Sequence, residues 1–390
     1  MSKNIRIYNK GEIIVNTYEI LELINSGGMG NVYKVKHNKI DKILALKQLK
    51  ILDYITDKRI LIEGFLSEVS ILISLRHPNI AKYYDSFFYN DDFFYVMEYI
   101  DGFNIKDYFI YNIPKEVKEE VAINLLFQAL EALDYIHQKN IIHRDLKPSN
   151  LLITNKNILK MIDFGISKSI RKDIIFSTPG YSPPEQISNL ESLPANDIFS
   201  LGITFLELLS NLKPPTNIKE INEYNNYIKM CNNSLKIDIS NSLLDILNKM
   251  VEYDYKKRYQ NIDSIKKDLI KNGFKFDNNY IANFYVKVQR ISEIFNLMEN
   301  NLNNNLKKLN LMGEINLKKN IDIMEYTIYN GNNLKIIIDI KEEENNEFLV
   351  IYLIRQFFKP LVLAKIKIEE FDEFFINDVI ERVGSEVNIL

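Results

Sequence analysis

Residues 143–150, His143-Arg144-Asp145-Leu146-Lys147-Pro148-Ser149-Asn150, bring a carboxylate, an ammonium and an amide close together in sequence. Farther along, an apolar run ends in Ile162-Asp163-Phe164-Gly165. Asp145, Asp163 and Asn150 are oxygen donors of the kind a hard divalent cation such as Mg²⁺ selects. A carboxylate beside Lys147 can also orient a hydroxyl. Phosphoryl transfer asks for little more than such positioning and charge neutralisation.

Two upstream features would serve phosphates. Ser26-Gly27-Gly28-Met29-Gly30-Asn31-Val32 lies between two strand-like runs. Without Cβ atoms, backbone N–H groups can approach phosphate oxygens. Alone, this run reads equally well as an ordinary turn. Lys47 closes the apolar strand Ile43-Leu44-Ala45-Leu46-Lys47. A charge in that setting needs a partner, and Glu68, on the apolar-flanked helix that follows, is the candidate. A surface strand lysine is the bland alternative.

In this order the motifs resemble those of eukaryotic-type (Hanks-type) protein serine/threonine kinases: glycine loop, Ala45-Leu46-Lys47, helix Glu68, His143-Arg144-Asp145 to Asn150, Asp163-Phe164-Gly165, Pro183-Pro184-Glu185. The resemblance covers about residues 12–270. Gly-Gly-Met-Gly and Pro-Pro-Glu-Gln are similar to bacterial members in wording. It implies an α+β, bilobal kinase fold, with a β-rich N-lobe over 12–100 and a helical C-lobe over 101–270. It also implies ATP with Mg²⁺ or Mn²⁺, and protein substrates, the chain itself among them.

Roles carry over by position. Lys47 is expected to hold the α/β-phosphates and pair with Glu68. Asp145 is the expected catalytic carboxylate, with Lys147 contacting the transferred phosphate. Asn150 and Asp163 are expected to ligate the metal. Ser26, Gly27, Gly28, Gly30 and Val32 would cover the nucleotide, with Ala45, the gatekeeper Met97 and the hinge from Glu98 to Ile100 around adenine. His143 is expected to pack with Phe164 and Leu72. Asp197 would anchor the catalytic-loop backbone, and Glu185 and Arg258 would form a buried ion pair.

Some positions depart from the pattern. Asn25 stands where the first loop glycine is usual, Ser177 precedes Thr178-Pro179, Pro183 replaces alanine, and Asp254-Tyr255 lacks a proline. None touches Lys47, Asp145, Asn150 or Asp163. The alternative reading is a catalytically weak pseudokinase-type scaffold. Regulation would run through Arg144 and an activation-loop phosphate. The usual phosphosite falls near Asp173, which carries no hydroxyl, so either Asp173 substitutes or Ser169 or Ser177 is used.

The elements that must position these residues follow from periodicity. Residues 13–50 read as strand, glycine turn, strand, turn, strand, and 63–75 as a helix with Phe65, Val69, Leu72 and Leu75 on one face. Tyr83–Tyr89 and Phe93–Tyr99 read as a hairpin. Long amphipathic or apolar helices are expected at Glu116–Gln138, Ile198–Ser210 and Leu243–Val251, with short strands at 151–153 and 159–162. Residues 1–11 form an N-terminal extension.

From about residue 271 the texture changes. Residues 271–312 read as a helical linker and 313–390 as a small α+β module of unknown function. Its strands are expected at 321–329, 334–340, 348–355 and 361–368, with a hairpin at Asn330-Gly331 and a final helix over 370–382. Phe284, Val288, Ile291, Phe295, Met298, Leu302, Leu309 and Met312 make a heptad-like stripe. It suits either a homodimer through 284–312 or a helix packed on its own domain.

Composition bounds the rest. The 390 residues carry a net charge of -3, which argues against a dominant grip on nucleic acid or anionic membrane. One cysteine, Cys231, excludes an intrachain disulfide or a cysteine-rich metal site, and an inert thiol is expected there. No apolar run is long enough for a membrane span, and the first residues lack a secretory pattern, so a cytoplasmic protein is expected.

Overall fold

The computed structural model describes residues 6–27, 30–49, 69–90, 92–113, 118–164, 178–187, 193–216, 220–236 and 238–275. Beyond these it describes 293–294, 296–298, 314–319, 323–329, 334–343, 346–354, 361–367, 371, 379 and 382.

The first lobe is a twisted antiparallel sheet of β1 (Ile13–Ile14), β2 (Tyr18–Gly27), β3 (Gly30–His37), β4 (Lys42–Leu49), β5 (Tyr83–Tyr89) and β6 (Asp92–Glu98). The strand order is β1-β2-β3-β4-β6-β5. Alternation along a strand sends successive side chains to opposite faces. Leu44, Leu46, Phe94 and Val96 therefore join Tyr33 and Val35 in an outer core, which Tyr8 and Ile20 complete. Ala45, Leu49, Phe93, Tyr95 and Met97 point the other way, into the main core with Val69, Leu72 and Leu75. Lys47 shares that inner face and is 8% exposed. The expected helical stripe holds from Val69 onward; Phe65 and Glu68 lie outside the described residues.

The second lobe is helical, as expected. Small strands β7 (Gly102–Asn104), β8 (Leu151–Thr154) and β9 (Leu159–Met161) form a three-stranded sheet beside helices α1 (Ile105–Tyr111) and α2 (Lys118–His137). Then follow α3 (Pro184–Ile187), α4 (Pro194–Ser210), α5 (Ile221–Leu235), α6 (Asn241–Met250) and α7 (Ile262–Lys271). Helix α4 is buried along nearly its whole length. Pro194 opens it, where a missing N–H costs nothing, and Asn211 ends it in the left-handed conformation at φ 58°. The lobes are stitched together ahead of β5. Ala81 N donates to Met161 O at 2.9 Å, and Met161 N to Asn79 O at 2.8 Å. The buried Asn79 amide in turn donates to Gln128 Oε1 of α2 at 2.8 Å and to Leu159 O at 2.9 Å.

The C-terminal part carries an antiparallel meander of β10 (Glu314–Lys319), β11 (Ile323–Tyr329), β12 (Leu334–Glu343), β13 (Asn346–Ile354) and β14 (Leu361–Lys367). Four strands fall where alternation places them; β10 was not expected. Asn330-Gly331 lies outside the described residues, between strands that do pair antiparallel. Of the expected final helix over 370–382, Phe371, Val379 and Arg382 are described; Val379 and Arg382 are helical and Phe371 is not. Of the heptad-like stripe only Met298 is described, and it is fully buried.

One face of this sheet meets the first lobe. Ile40, in the turn joining β3 and β4, is fully buried among Ile337, Val350 and Tyr352. Tyr352 Oη donates to Ile40 O at 3.3 Å. Exchanging Ile40 for aspartate puts an unpaired charge there, which costs several kcal/mol or expels the turn. Hydroxyl-radical footprinting of Ile40→Asp is expected to raise labelling of Tyr352 several-fold while buried Tyr33 stays protected. Unchanged Tyr352 labelling contradicts the contact.

Candidate active site

The segment from His143 to Asn150 is irregular as far as Lys147, whose backbone is extended, and then forms a 3₁₀ turn at Pro148–Asn150. Its shape is held by one buried carboxylate. Asp197, in the first turn of α4, accepts from the backbone N–H of His143 at 2.8 Å and of Arg144 at 2.9 Å. His137 Nε2, at the end of α2, lies 2.8 Å from the same carboxylate. Burial alone would push Asp197 up. The hydrogen bond and attraction from His137, with His143 adding to both, outweigh it and hold the carboxyl below the usual range. Arg144 sits at φ +65°, a conformation an L side chain adopts only under constraint. Capture of two consecutive N–H groups by Asp197 supplies that constraint.

Asp145 follows immediately and is 5% exposed. Its Oδ1 accepts from Thr178 Oγ1 at 2.5 Å. Its Oδ2 accepts from Lys147 Nζ at 2.9 Å and from Asn150 Nδ2 at 3.1 Å. Asn150 also donates to Asp145 O at 2.7 Å, which closes the loop on itself. Asp145, Lys147, Asn150 and Thr178 are thus one cluster.

Asp163 ends the strand-like run after β9, at φ +54°. Phe164 behind it stacks at 4.7 Å on His143, whose Nε2 lies 2.9 Å from Ile162 O. His143 is a packed residue, as expected. Lys47 Nζ reaches Asp163 Oδ2 at 2.6 Å. The expected partner Glu68 lies outside the described residues, so among those described the lysine's carboxylate is Asp163. Two buried tyrosines add a contact that motif reading missed. Tyr95 Oη donates to Asp163 Oδ1 at 2.9 Å, and Tyr83 packs 5.7 Å from Tyr95 and 6.1 Å from Phe164.

Around the cleft expected to take the nucleotide, β3 and β4 pair Val32 with Lys47, and β4 and β6 pair Ala45 with Met97. Glu98 begins the hinge with its side chain 3.0 Å from Lys160 Nζ of β9. Ile100 lies just past β6, at the lobe connection. Gly27 pairs with Gly30 at the loop tip; Gly28 lies outside the described residues. Gly30 is at φ +139°, and a Cβ there would meet Gln48 O at 1.9 Å, so only glycine fits. Asn25 sits within the β2–β3 ladder opposite Val32. A polar relay not foreseen from sequence braces this loop. Ser26 Oγ donates to Asn31 Oδ1 at 2.8 Å, and Asn31 Nδ2 to the fully buried Gln48 at 3.0 Å. Gln48 Nε2 continues to Asp92 at 2.7 Å. The only hint in the sequence was an amide, Gln48, inside an apolar strand.

The remaining expectations fall as follows. Arg258 forks onto Glu185 at 2.6 and 2.9 Å, both buried. Burial pushes the Cys231 thiol up, keeping it protonated. Ser169, Asp173 and Ser177 lie outside the described residues. Among the described residues no cluster of three or more His, Cys, Asp or Glu could hold a metal by itself. No helix among them is long and apolar enough to cross a membrane. The donors of Asn150 and Asp163 are hard oxygens, and Mg²⁺ typically takes one or two protein ligands plus substrate phosphates. Asn150 and Asp163 therefore fit a cation that shares its coordination with phosphate oxygens.

Comparison with known proteins identifies the family. The protein kinase domain family matches residues 18–270. The chain is 32% identical over 270 residues to "Probable serine/threonine-protein kinase CPE1738" of Clostridium perfringens, covering 67% of this chain and 39% of that protein. It is 37% identical over 210 residues to serine/threonine-protein kinase PrkC of Bacillus subtilis, covering 52% and 32%. The chain thus spans about a third of the length of these relatives. Among solved structures, the Mycobacterium tuberculosis PknI kinase domain superposes with a TM-score of 0.52 at 20% identity, covering 68% of this chain and all of that one. That likeness speaks to the fold.

The Asp197 hub sets a stability test. An aspartate in the unfolded chain titrates near ~3.9. In the fold Asp197 titrates lower, so the unfolded chain takes the proton first as pH falls. Its contribution is complete above the unfolded value and is lost as pH drops through the folded one. Asp197→Asn is expected to cost about 3 kcal/mol in urea unfolding at pH 7 and to flatten that part of the acid slope.

Proposed function

The chain belongs to the protein kinase family, and from that footing we propose that it transfers the γ-phosphate of ATP to serine or threonine hydroxyls of protein substrates, including its own. The observation that carries this reading is the Asp145 cluster. Its carboxylate already accepts a threonine hydroxyl, from Thr178 at 2.5 Å, and stands beside the ammonium of Lys147.

In this reading adenine lies between Val32, Ala45 and Met97, with the backbone from Glu98 to Ile100 at its edge. Ser26, Gly27, Gly28 and Gly30 cover the phosphates, and Lys47 binds the α/β-phosphates. Asn150 and Asp163 would hold Mg²⁺ or Mn²⁺, which when bound would neutralise phosphate charge. Asp145 orients the substrate hydroxyl and takes its proton as the new O–P bond forms and ADP leaves. A raised pKa is not needed, because the transition state is loose and geometry dominates. Lys147 balances the negative charge on the phosphoryl group in transit. Thr178 contributes to the platform for the hydroxyl-bearing peptide. Tyr181, hydrogen-bonded to buried Glu207 of α4, fixes that platform to the lobe.

Incorporation of radiolabel from [γ-³²P]ATP into a generic protein substrate such as casein tests the reading. The wild-type chain is expected to yield phosphoserine and phosphothreonine. Asp145→Asn and Lys47→Met are each expected to lower the rate at least ~100-fold, in line with the usual weight of a positioned acid–base group. Equal incorporation by wild type and Asp145→Asn overturns the assignment.

A further inference from the structure

We propose that Tyr95 is a positioning residue for the cation-binding carboxylate. Its phenol, paired with Lys47, sets how Asp163 presents its remaining lone pairs to the cleft. This rests on the reading of Asp163 as a cation ligand.

The inference comes from strand register. Lys47 on β4 and Tyr95 on β6 are direct cross-strand partners, so their side chains stand next to each other on one face of the sheet. That face is the inner one, shared with Ala45 and Met97. The two side chains end on the two oxygens of one carboxylate, Tyr95 on Oδ1 at 2.9 Å and Lys47 on Oδ2 at 2.6 Å. The pair is itself coupled, since the Lys47 ammonium lies 5.8 Å from the centroid of the Tyr95 ring. Tyr95 is 1% exposed and wedged against Tyr83, so its hydroxyl has little freedom to turn away.

A carboxylate offers about four lone-pair sites. Two donors take one on each oxygen, which fixes rotation of the Asp163 side chain and leaves the other sites for an incoming cation. Lys47 alone would hold one oxygen and let the other swing. The tension is real on the backbone as well, because Asp163 is at φ +54°. A grip on both oxygens from the opposite lobe keeps the residue in that conformation. A tyrosine in an apolar strand would otherwise be read as core filling.

The test is Tyr95→Phe, which removes one oxygen and keeps the ring packing. Free Mn²⁺ is followed by electron paramagnetic resonance in the presence of the non-hydrolysable analogue AMP-PNP. The wild-type chain is expected to bind Mn²⁺ with the nucleotide. Tyr95→Phe is expected to weaken Mn²⁺ binding roughly three- to tenfold, the net weight of one ordinary hydrogen bond. Metal-free AMP-PNP affinity should stay as it is, and added Mn²⁺ should restore full nucleotide binding. General damage to the lobe would lower metal-free affinity as well. Unchanged or tighter Mn²⁺ binding by Tyr95→Phe, with wild type binding normally, overturns the role of Tyr95 alone. Failure of wild type to bind Mn²⁺ with AMP-PNP overturns the cation-ligand reading and this proposal with it.

Discussion

The carboxylate of Asp163 ties the two lobes of this molecule together at the cleft. It hangs from the helical lobe, yet both of its oxygens are held by side chains of the sheet lobe, Lys47 and Tyr95. The Lys47 and Asp163 side chains are 10% and 20% exposed, enough to meet a ligand and too little to be well hydrated. Removing one partner of such a pair leaves the other charge desolvated, a cost that adds to the Asn79, Ala81 and Glu98 links in holding the lobes together.

A second buried carboxylate makes the first one usable. Asp197 fixes the backbone of His143 and Arg144, and His143 supports Phe164, the neighbour of Asp163. Two non-glycine residues in left-handed conformation, Arg144 and Asp163, lie on either side of this packing. Each conformation is unfavourable by itself, on the order of 1–3 kcal/mol. The surrounding hydrogen bonds and rings over-determine them, so Asp145 and Asp163 are held in place by the fold itself. Preorganisation of this kind is what phosphoryl transfer draws on.

Much of this was legible in the residues, for a physical reason. Lys47 is a charge in an apolar strand and needs a partner; Asp145, Asn150 and Asp163 are hard oxygen donors close in sequence; Asp197 and the Glu185–Arg258 pair were marked by their resemblance to kinase motifs. Strand alternation likewise placed four of the five C-terminal strands. What escaped depends on contacts distant in sequence. Tyr95 looks like any aromatic in a core strand until its register partner is known. The Ser26–Asn31–Gln48 relay joins residues from three strands. Ile40 belongs to a turn whose burial comes from strands some 300 residues away. Strand β10, Glu-Ile-Asn-Leu-Lys-Lys, is polar enough to pass for the end of the preceding helical stripe.

The central claim is that Asp163 receives the cation that accompanies ATP while bridging the lobes. Calorimetric titration of AMP-PNP into the wild-type and Asp163→Asn chains, with and without Mg²⁺, tests it most directly. The account predicts that Mg²⁺ strengthens nucleotide binding by the wild-type chain and that Asp163→Asn loses this enhancement. An equal Mg²⁺ enhancement in both chains would contradict it.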